Sequence, residues 1–586
     1  MKDPIIFSKI NYFFLALFMV SIMNLLFMHY QILFTVSLES GCFKSSPFDN
    51  LLACLIDVTI LLFASMIITV GKLRPSLAIT FVITLILSFC HIFYSRFFNI
   101  YLPISSLGQI KNLNDNVVID SMLTGFKYSD FYYVLAISLF IWLYYISKKC
   151  NLKKNYIYTL SFSWLIVIAL VTITHCMYFF HPMTFDRHLR QTLCSPKVYN
   201  SLWPNWVVFH KGLFRTMLID NLYSWGEDHK LTEEQYEEIK NEYTDYSERS
   251  TTPTISDSIK NVILIIVESY LSASSDLIVD GKEITPNLNK LKRDSNVYYN
   301  GHVKPNVMVG ESSDGQFIYM TGMLPLRSDI TVSIVKHNTL PGLPKVLKNV
   351  HPNITSQMII PTTPTMWEQK EMAEAYGVDS LLSKQDYKDE HNNGVDYDLL
   401  DAQIFNFASN RDKTLKPPFF SIILTMSMHH PYNEFIEHGF TIEDNSYPQN
   451  YLNYLISCHY TDIQIGNYLS SLKEKGLYDQ SLIVIVADHD AHPKFLNMEG
   501  LVSPELPLYI INGGINNTNA WLGECNQLDI YTTLLDIMGI ECEWRGLGHS
   551  LLTKNYKNSV TDNTWKLSEW IINGNYFSKG KSCFKN

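Results

Sequence analysis

Hydrophobic and polar positions divide the chain into two regimes. No Asp, Glu, Lys or Arg lies between Lys9 and Glu39, Arg74 and Arg96, Asp130 and Lys148, or Lys154 and Asp186. A further apolar stretch, Leu51–Val70, is broken only by Asp57 near its start. A helix needs about 20 apolar residues to cross about 30 Å of hydrocarbon. Four stretches meet this, and the shorter Phe131–Ser147, flanked by Tyr and Lys, can still span. A cleaved signal peptide would have a shorter apolar core and no further spans behind it. Five transmembrane helices are predicted.

From Asn261 onward the apolar runs become short and β-rich: Asn261–Val267, Gln357–Ile360, Phe419–Met426, Ser481–Ala487 and Pro507–Ile511. Continuous apolar strands separated by longer helical segments predict a mostly parallel sheet with helices on both faces. Ligands bind such sheets outside the carboxyl ends of the strands. Three of these runs lead there into polar residues able to bind metal: Glu268 after the first, His429 and His430 after the third, Asp488 and His489 after the fourth.

Basic residues in the short loops orient the spans. Lys2, Lys9, Lys72, Arg74, Lys148, Lys149, Lys153 and Lys154 fall on one side; only Lys44, Arg96, Lys111 and Lys127 fall on the other. The amino terminus is therefore expected in the cytoplasm, and everything after about residue 182 outside. Asp57, at the outer end of its helix, reads better as an interfacially solvated carboxylate than as a proton relay. In Ser201–Leu222, Trp203, Trp206 and Phe209 suggest a helix lying at the membrane interface, and Ser250–Ser258 reads as a linker. The expected domains are a transmembrane domain (1–182), interfacial helices and linker (183–257) and an extracytoplasmic α/β domain (258–586).

Charge sharpens this division. Residues 1–180 carry only 19 charged side chains, and the net charge of the whole chain is −10, which argues against nucleic acid as a partner. The ten cysteines show no CxxC or Cys/His zinc spacing; Cys525 and Cys542 are the one pair outside the spans close enough in sequence to consider as a disulfide.

Any single carboxylate or histidine after a strand is more often a cap or loop residue than a ligand. Three such ends on one sheet change that weighting, and carboxylate oxygens with imidazole nitrogens suit Zn²⁺ or Mn²⁺. Vicinal hydroxyls, Ser312 and Ser313, follow Gly310 within Val309–Leu326. They are either caps of a helix beginning near Asp314 or the site of a nucleophile, which would need a base or metal to activate it.

In this order, Glu268-Ser269-Tyr270, Gly310-Glu311-Ser312-Ser313-Asp314, His429-His430-Pro431-Tyr432 and Asp488-His489 resemble the sulfatase branch of the alkaline phosphatase superfamily. Together with the five spans, the chain looks like the lipoteichoic acid synthase and phosphoethanolamine transferase group. The resemblance implies one divalent metal, Mn²⁺ or Zn²⁺, held by Glu268, Ser312, Asp488 and His489. Ser312 would be the nucleophile, where the family usually has threonine, and His429 a second catalytic group. Trp367, Ser313, His430 and His492 are candidate substrate contacts, although His492 reads equally well as a solvated loop histidine. Ile360, Thr362 and Gln369 stand where phosphoglycerol-transferring members carry charged residues.

The activity implied is transfer of a phosphoglycerol or phosphoethanolamine head group from a phospholipid donor to a glycan or lipid acceptor in the envelope of a bacterial inner membrane. The alternatives are a membrane-anchored phosphodiesterase or sulfatase-like hydrolase, or a non-catalytic lipid-sensing scaffold. Sulfatases typically carry Cys/Ser-x-Pro-x-Arg at the nucleophile. Ser312-Ser313-Asp314-Gly315-Gln316 lacks its Pro and Arg.

Overall fold

The structure, a computed structural model, describes residues 4–35, 47–98, 101–102, 125–147, 208–210, 212–214, 216–217, 231–244 and 252–579, apart from 328, 392–397, 433–438, 445, 493–494 and 554. The chain forms two compact units, one containing the apolar helices and one containing residues from 229 onward.

Four helices of the first unit are long and apolar enough to cross a bilayer: α1 (Pro4–Thr35), α2 (Pro47–Ile68), α3 (Leu73–Phe98) and α4 (Phe131–Ser147). The fifth predicted span lies outside the described residues. Polar groups in hydrocarbon must be satisfied internally, and here they tie the helices together. Asn24 donates to Thr84 and accepts from the Tyr132 hydroxyl, linking α1, α3 and α4. Arg96 makes two hydrogen bonds to Asp130, of 2.8 and 2.6 Å, from the end of α3 to the residue before α4.

Two expectations change in this unit. Asp57 is fully buried rather than solvated, and its carboxylate accepts the Phe214 backbone N–H at 3.1 Å. Phe209 is also fully buried, packed edge-on against His29 and Tyr30 rather than facing lipid. Trp203 and Trp206 lie outside the described residues.

The second unit is built on β1 (Asn261–Val267), β2 (Ile278–Val279), β3 (Lys282–Glu283), β4 (Val297–Lys304), β5 (Thr355–Ile359), β6 (Ser380–Leu382), β7 (Phe419–Leu424), β8 (Ser481–Ala487), β9 (Leu506–Ile511) and β10 (Cys525–Asn526). Eight strands form one sheet in the order β10-β4-β9-β8-β1-β7-β5-β6, in which β9 alone runs against the others. Strands β1, β7 and β8 are buried along their whole length, as expected for a parallel sheet covered on both faces.

Helices of this unit include α5 (Glu233–Thr244), α6 (Ser312–Thr321), α7 (Asp401–Asp412), α8 (Gln449–Glu474), α9 (Leu528–Ile537) and α10 (Asp562–Asn573). Thr254 bonds the carbonyls of Ile537 and Gly513, so the segment read as a linker is laid onto this domain. Cys525 and Cys542 are not bonded to each other, and the Cys542 thiol donates to the Trp544 carbonyl.

Candidate active site

Strand β1 lies between β7 and β8, so the residues following all three strands emerge side by side at the middle of the sheet. Glu268, Asp488 and His489 are each no more than 6% exposed. One ligand-type atom from each lies within 4.8 Å of the others. The Ser312 hydroxyl joins this group, 3.2 Å from Glu268 Oε2 and 3.1 Å from His489 Nε2. His489 Nε2 is in turn 3.3 Å from Glu268 Oε1 and 3.7 Å from Asp488 Oδ2.

Backbone and neighbours fix each of these groups. Asp488 Oδ1 accepts the N–H groups of Ser269 and His489 at 2.8 and 2.7 Å. The Ser269 hydroxyl donates to Glu268 Oε1, and the Glu268 N–H donates to Thr425 Oγ1 at the end of β7. His489 Nδ1 lies 2.6 Å from the Asp490 carbonyl, which can only accept. Nδ1 therefore carries a proton, and Nε2 faces the carboxylates and Ser312.

Ser312 is the first residue of α6, where free N–H groups and the helix dipole favour negative charge. The turn before it is strained: Glu311 adopts φ 46° and ψ −119°. Asp314 holds that turn by accepting the N–H groups of Met308 and Gly310, both at 2.9 Å. Close approach of α6 to β8 depends on Gly315, because a Cβ there would lie 2.3 Å from the Asp488 carbonyl oxygen.

The electrostatics are those of a crowded anionic site. Burial, then the neighbouring Glu268 charge, push Asp488 up to about 8. Burial opposes ionisation of Glu268, but the His489 ring outweighs it and holds the carboxyl well below its usual range. Burial likewise opposes the His489 charge, and Asp488 and Glu268 overcome it, raising that imidazole well above its ordinary value. Among the described residues, no Lys or Arg pairs with either carboxylate.

Residues 260–540 match the family model described as Sulfatase. The domain built on the eight-stranded sheet is thus similar to the sulfatase branch of the alkaline phosphatase superfamily. Lipoteichoic acid synthase 2 of Bacillus subtilis (strain 168) is 25% identical over 502 residues, covering 81% of this chain and 73% of that protein. Lipoteichoic acid synthase of Staphylococcus aureus (strain USA300) is 25% identical over 527 residues, covering 85% and 76%. The integral membrane protein lipooligosaccharide phosphoethanolamine transferase A of Neisseria meningitidis shares the fold. It covers 89% of this chain and 95% of its own, with a TM-score of 0.50 and 13% identity.

The other candidates occupy this site unequally. His429 and His430 follow β7 and are partly buried; His429 Nδ1 donates to the His430 carbonyl at 2.6 Å. Burial, then His429 and His492, bring His430 down to about 4. His492 is not a solvated loop residue. Its two nitrogens lie 3.1 Å from Glu311 and 3.1 Å from Asp490, and its ring is 5.5 Å from that of His489. Burial opposes its charge, but Glu311 and Asp490 raise it to about 10.

Ser313 is turned away. It is buried and its hydroxyl donates to the Gly310 carbonyl at 2.7 Å. Trp367, at φ 48°, sits on a turn tethered to α6 through Gln369, which donates to Gln316 at 3.1 Å. Ile360, Thr362 and Gln369 are buried.

Sequence reading missed Glu311, Asp490 and Gln527 as site residues. Glu311 stood inside the Gly310–Asp314 motif as the variable residue before Ser312, and Asp490 directly follows the Asp488-His489 pair. Gln527 gave no local signal: its side chain donates to the Asp488 carbonyl at 2.7 Å and accepts the Asn306 N–H at 2.6 Å.

Proposed function

We propose that this protein is a membrane-bound phosphotransferase that moves a phospholipid head group, phosphoglycerol or phosphoethanolamine, to a hydroxyl of a glycan or lipid in the cell envelope. The observation carrying this reading is the Ser312 hydroxyl, held between Glu268 and His489 at a helix amino terminus. The lipoteichoic acid synthases to which the chain is similar along most of its length support it, as do the apolar helices. The proposed location is the cytoplasmic membrane, with the sulfatase-branch domain on the outer side.

The donor set fits a divalent cation. Two buried carboxylates, an imidazole nitrogen and a hydroxyl converge with no Lys or Arg pairing with the carboxylates among the described residues, a combination that suits Mn²⁺ or Zn²⁺. Glu268, Ser312, Asp488 and His489 would hold it. Bound there, such an ion supplies positive charge that favours the serine alkoxide and polarises phosphoryl oxygens.

The protein's own residues then account for the transfer. Ser312 Oγ attacks phosphorus; its bond to phosphorus forms as the bond to the diacylglycerol oxygen breaks. The serine proton passes to solvent, and the charged His429 ring gives its Nε2 proton to the departing glycerol oxygen, so diacylglycerol is released and the head group stays on Ser312 as a phosphodiester. An acceptor hydroxyl next attacks phosphorus and gives its proton to His429 Nε2, the Ser312–phosphorus bond breaks, and the serine oxygen takes a proton from solvent. His429 is the proposed proton donor to the leaving oxygen: its Nδ1 is committed to the His430 carbonyl, leaving Nε2 for the substrate. The positive end of α6 adds charge complementary to the phosphoryl group, whereas the His492 ring is already paired with Glu311 and Asp490.

Full-length protein in vesicles of one phospholipid each provides the test. Diacylglycerol release is expected from one head-group class, and it should accelerate when a soluble polyol acceptor is added. Free head group appearing at the same rate with or without acceptor would make the protein a hydrolase; no release from any lipid would sink the catalytic reading.

A further inference from the structure

Asp488 and His489 are consecutive, so a single peptide unit, made of the Asp488 C=O and the His489 N–H, joins two of the candidate metal ligands. The unit is planar and tilts as a whole, and its tilt sets the direction in which both side chains leave the backbone. Its N–H is held by Asp488 Oδ1 at 2.7 Å, an oxygen that also accepts the Ser269 N–H. Its C=O is held by the Gln527 side chain, whose Nε2 donates at 2.7 Å. The same carbonyl oxygen is the surface on which α6 rests, since a Cβ on Gly315 would lie 2.3 Å from it. Ser312, at the start of α6, therefore takes its place relative to both ligands from this one contact point.

Gln527 is fully buried between β10 and α9, and its backbone N–H donates to the Lys304 carbonyl at the end of β4, 3.1 Å away. Chemistry fixes the orientation of its side-chain amide. The Asn306 backbone N–H, at 2.6 Å, can only donate and so faces Oε1; the Asp488 carbonyl can only accept and so faces Nε2. The other Nε2 proton goes to the Tyr319 hydroxyl on α6 at 3.0 Å, and that hydroxyl donates onward to the Ala487 carbonyl at the end of β8. Asn306 returns the contact, its Oδ1 accepting the Leu528 N–H at 3.2 Å. One amide thus uses both N–H groups and its oxygen to join β8, α6 and the loop after β4. That loop runs on through Met308 and Gly310, whose N–H groups Asp314 accepts, into Ser312.

A buried amide with every group satisfied steadies a fold wherever it sits. What is particular here is the choice of partners, all of them on segments that present Ser312, Asp488 or His489. We propose that Gln527 is a positioning residue: by clamping the Asp488–His489 peptide to the elements that carry Ser312, it sets the spacing between the nucleophile and two of the metal ligands. It acts through Asp488 and His489 and, being fully buried, touches neither ion nor substrate. Its effect on metal affinity needs only the metal-site assignment, and its effect on turnover rests on the transferase reading.

The experiment titrates full-length protein in nanodiscs with Mn²⁺ alone and with Zn²⁺ alone, and takes thermal melts and diacylglycerol release on the same samples. Gln527→Met fills the space of the amide but removes its donors and acceptor. It should bind the metal about ten- to a hundredfold more weakly, the usual cost of removing a group that orients a metal ligand. At saturating metal, kcat should stay lowered while KM for phospholipid is unchanged. Gln527→His, which returns an N–H close to the Nε2 position, should recover most of the affinity. Thr533→Val gives the comparison with a purely structural role. Thr533, buried on α9, donates to the Asp529 carbonyl and accepts the Leu551 N–H, away from the Asp488–His489 peptide. Its loss should lower the melting point by a comparable amount and leave metal affinity at the native value. If Gln527→Met does not melt cooperatively, Gln527→Leu takes its place. Native metal affinity in the folded Met or Leu variant would overturn the proposal. So would an affinity lost in Thr533→Val in proportion to its melting point, or native protein that binds neither metal. Native protein that binds metal yet releases no diacylglycerol would end the transferase reading, while the affinities still decide the role of Gln527.

Discussion

Ser312 and Ser313 are chemically identical neighbours with opposite surroundings. Ser312 Oγ faces Glu268 and His489, whereas Ser313 Oγ is spent on the Gly310 carbonyl. Ser312→Ala is accordingly expected to lower head-group transfer by roughly three orders of magnitude or more with little effect on melting, since no other hydroxyl can carry the intermediate. Ser313→Ala should do the converse: an apparent melting point lowered by the loss of one buried hydrogen bond, worth about 1 kcal/mol, and a far smaller loss of rate. Paired melts and diacylglycerol assays check both. Asp488→Asn and His489→Ala each remove a donor and should lose bound Mn²⁺ or Zn²⁺ together with turnover. Elemental analysis showing full metal in both variants would remove the ligand assignment. The sequence made the four converging side chains readable because three of them terminate apolar strands. The burial of Asp57 was not readable, because its partner is a backbone N–H 157 residues away.

Among the elements, all five expected apolar runs recur in the sheet within a few residues of their expected ends; four are parallel strands, and the fifth, Pro507–Ile511, is the reversed β9. Strand β4 was not among them. In Val297–Lys304, Asn300, Gly301 and His302 interrupt the apolar pattern, and a register shift lies between Asn300 and Val303, where the strand pairs with the reversed β9. Helix placement is set by small contacts that the sequence shows only as a glycine. Gly315→Ala should push α6 away from the Asp488 carbonyl and reduce transfer markedly while the domain remains folded, measured by rate and circular dichroism. Packing of α7 against α8 offers a pH test remote from the site. Asp412 hydrogen-bonds Tyr468, on α8, and Gln357, and burial raises it to about 6. Its folded value lies above the unfolded one of about 3.9. Its stabilising contribution is therefore complete below about pH 4 and is lost as pH rises through about 6. In melts from pH 4 to 7, Asp412→Asn should show a shallower fall in stability than the native protein.

At the scale of the whole molecule, a unit of long apolar helices and a domain that matches the Sulfatase family model occupy one chain. The basic-loop asymmetry that predicts sidedness can be checked directly. A reporter active only outside the cytoplasm should be active when fused after residue 255 and silent when inserted at residue 151; the reverse pattern would put the catalytic domain in the cytoplasm. The central claim is that Ser312 carries the head group, and it has one decisive measurement: peptide mass mapping of native protein incubated with its phospholipid and no acceptor. A head-group phosphodiester on the peptide containing Ser312, retained on threonine in Ser312→Thr, absent from Ser312→Ala and discharged when acceptor is added, is the expected result. Native protein that releases diacylglycerol at full rate with Ser312 unmodified, or a Ser312→Ala protein that releases it equally fast, would contradict the account.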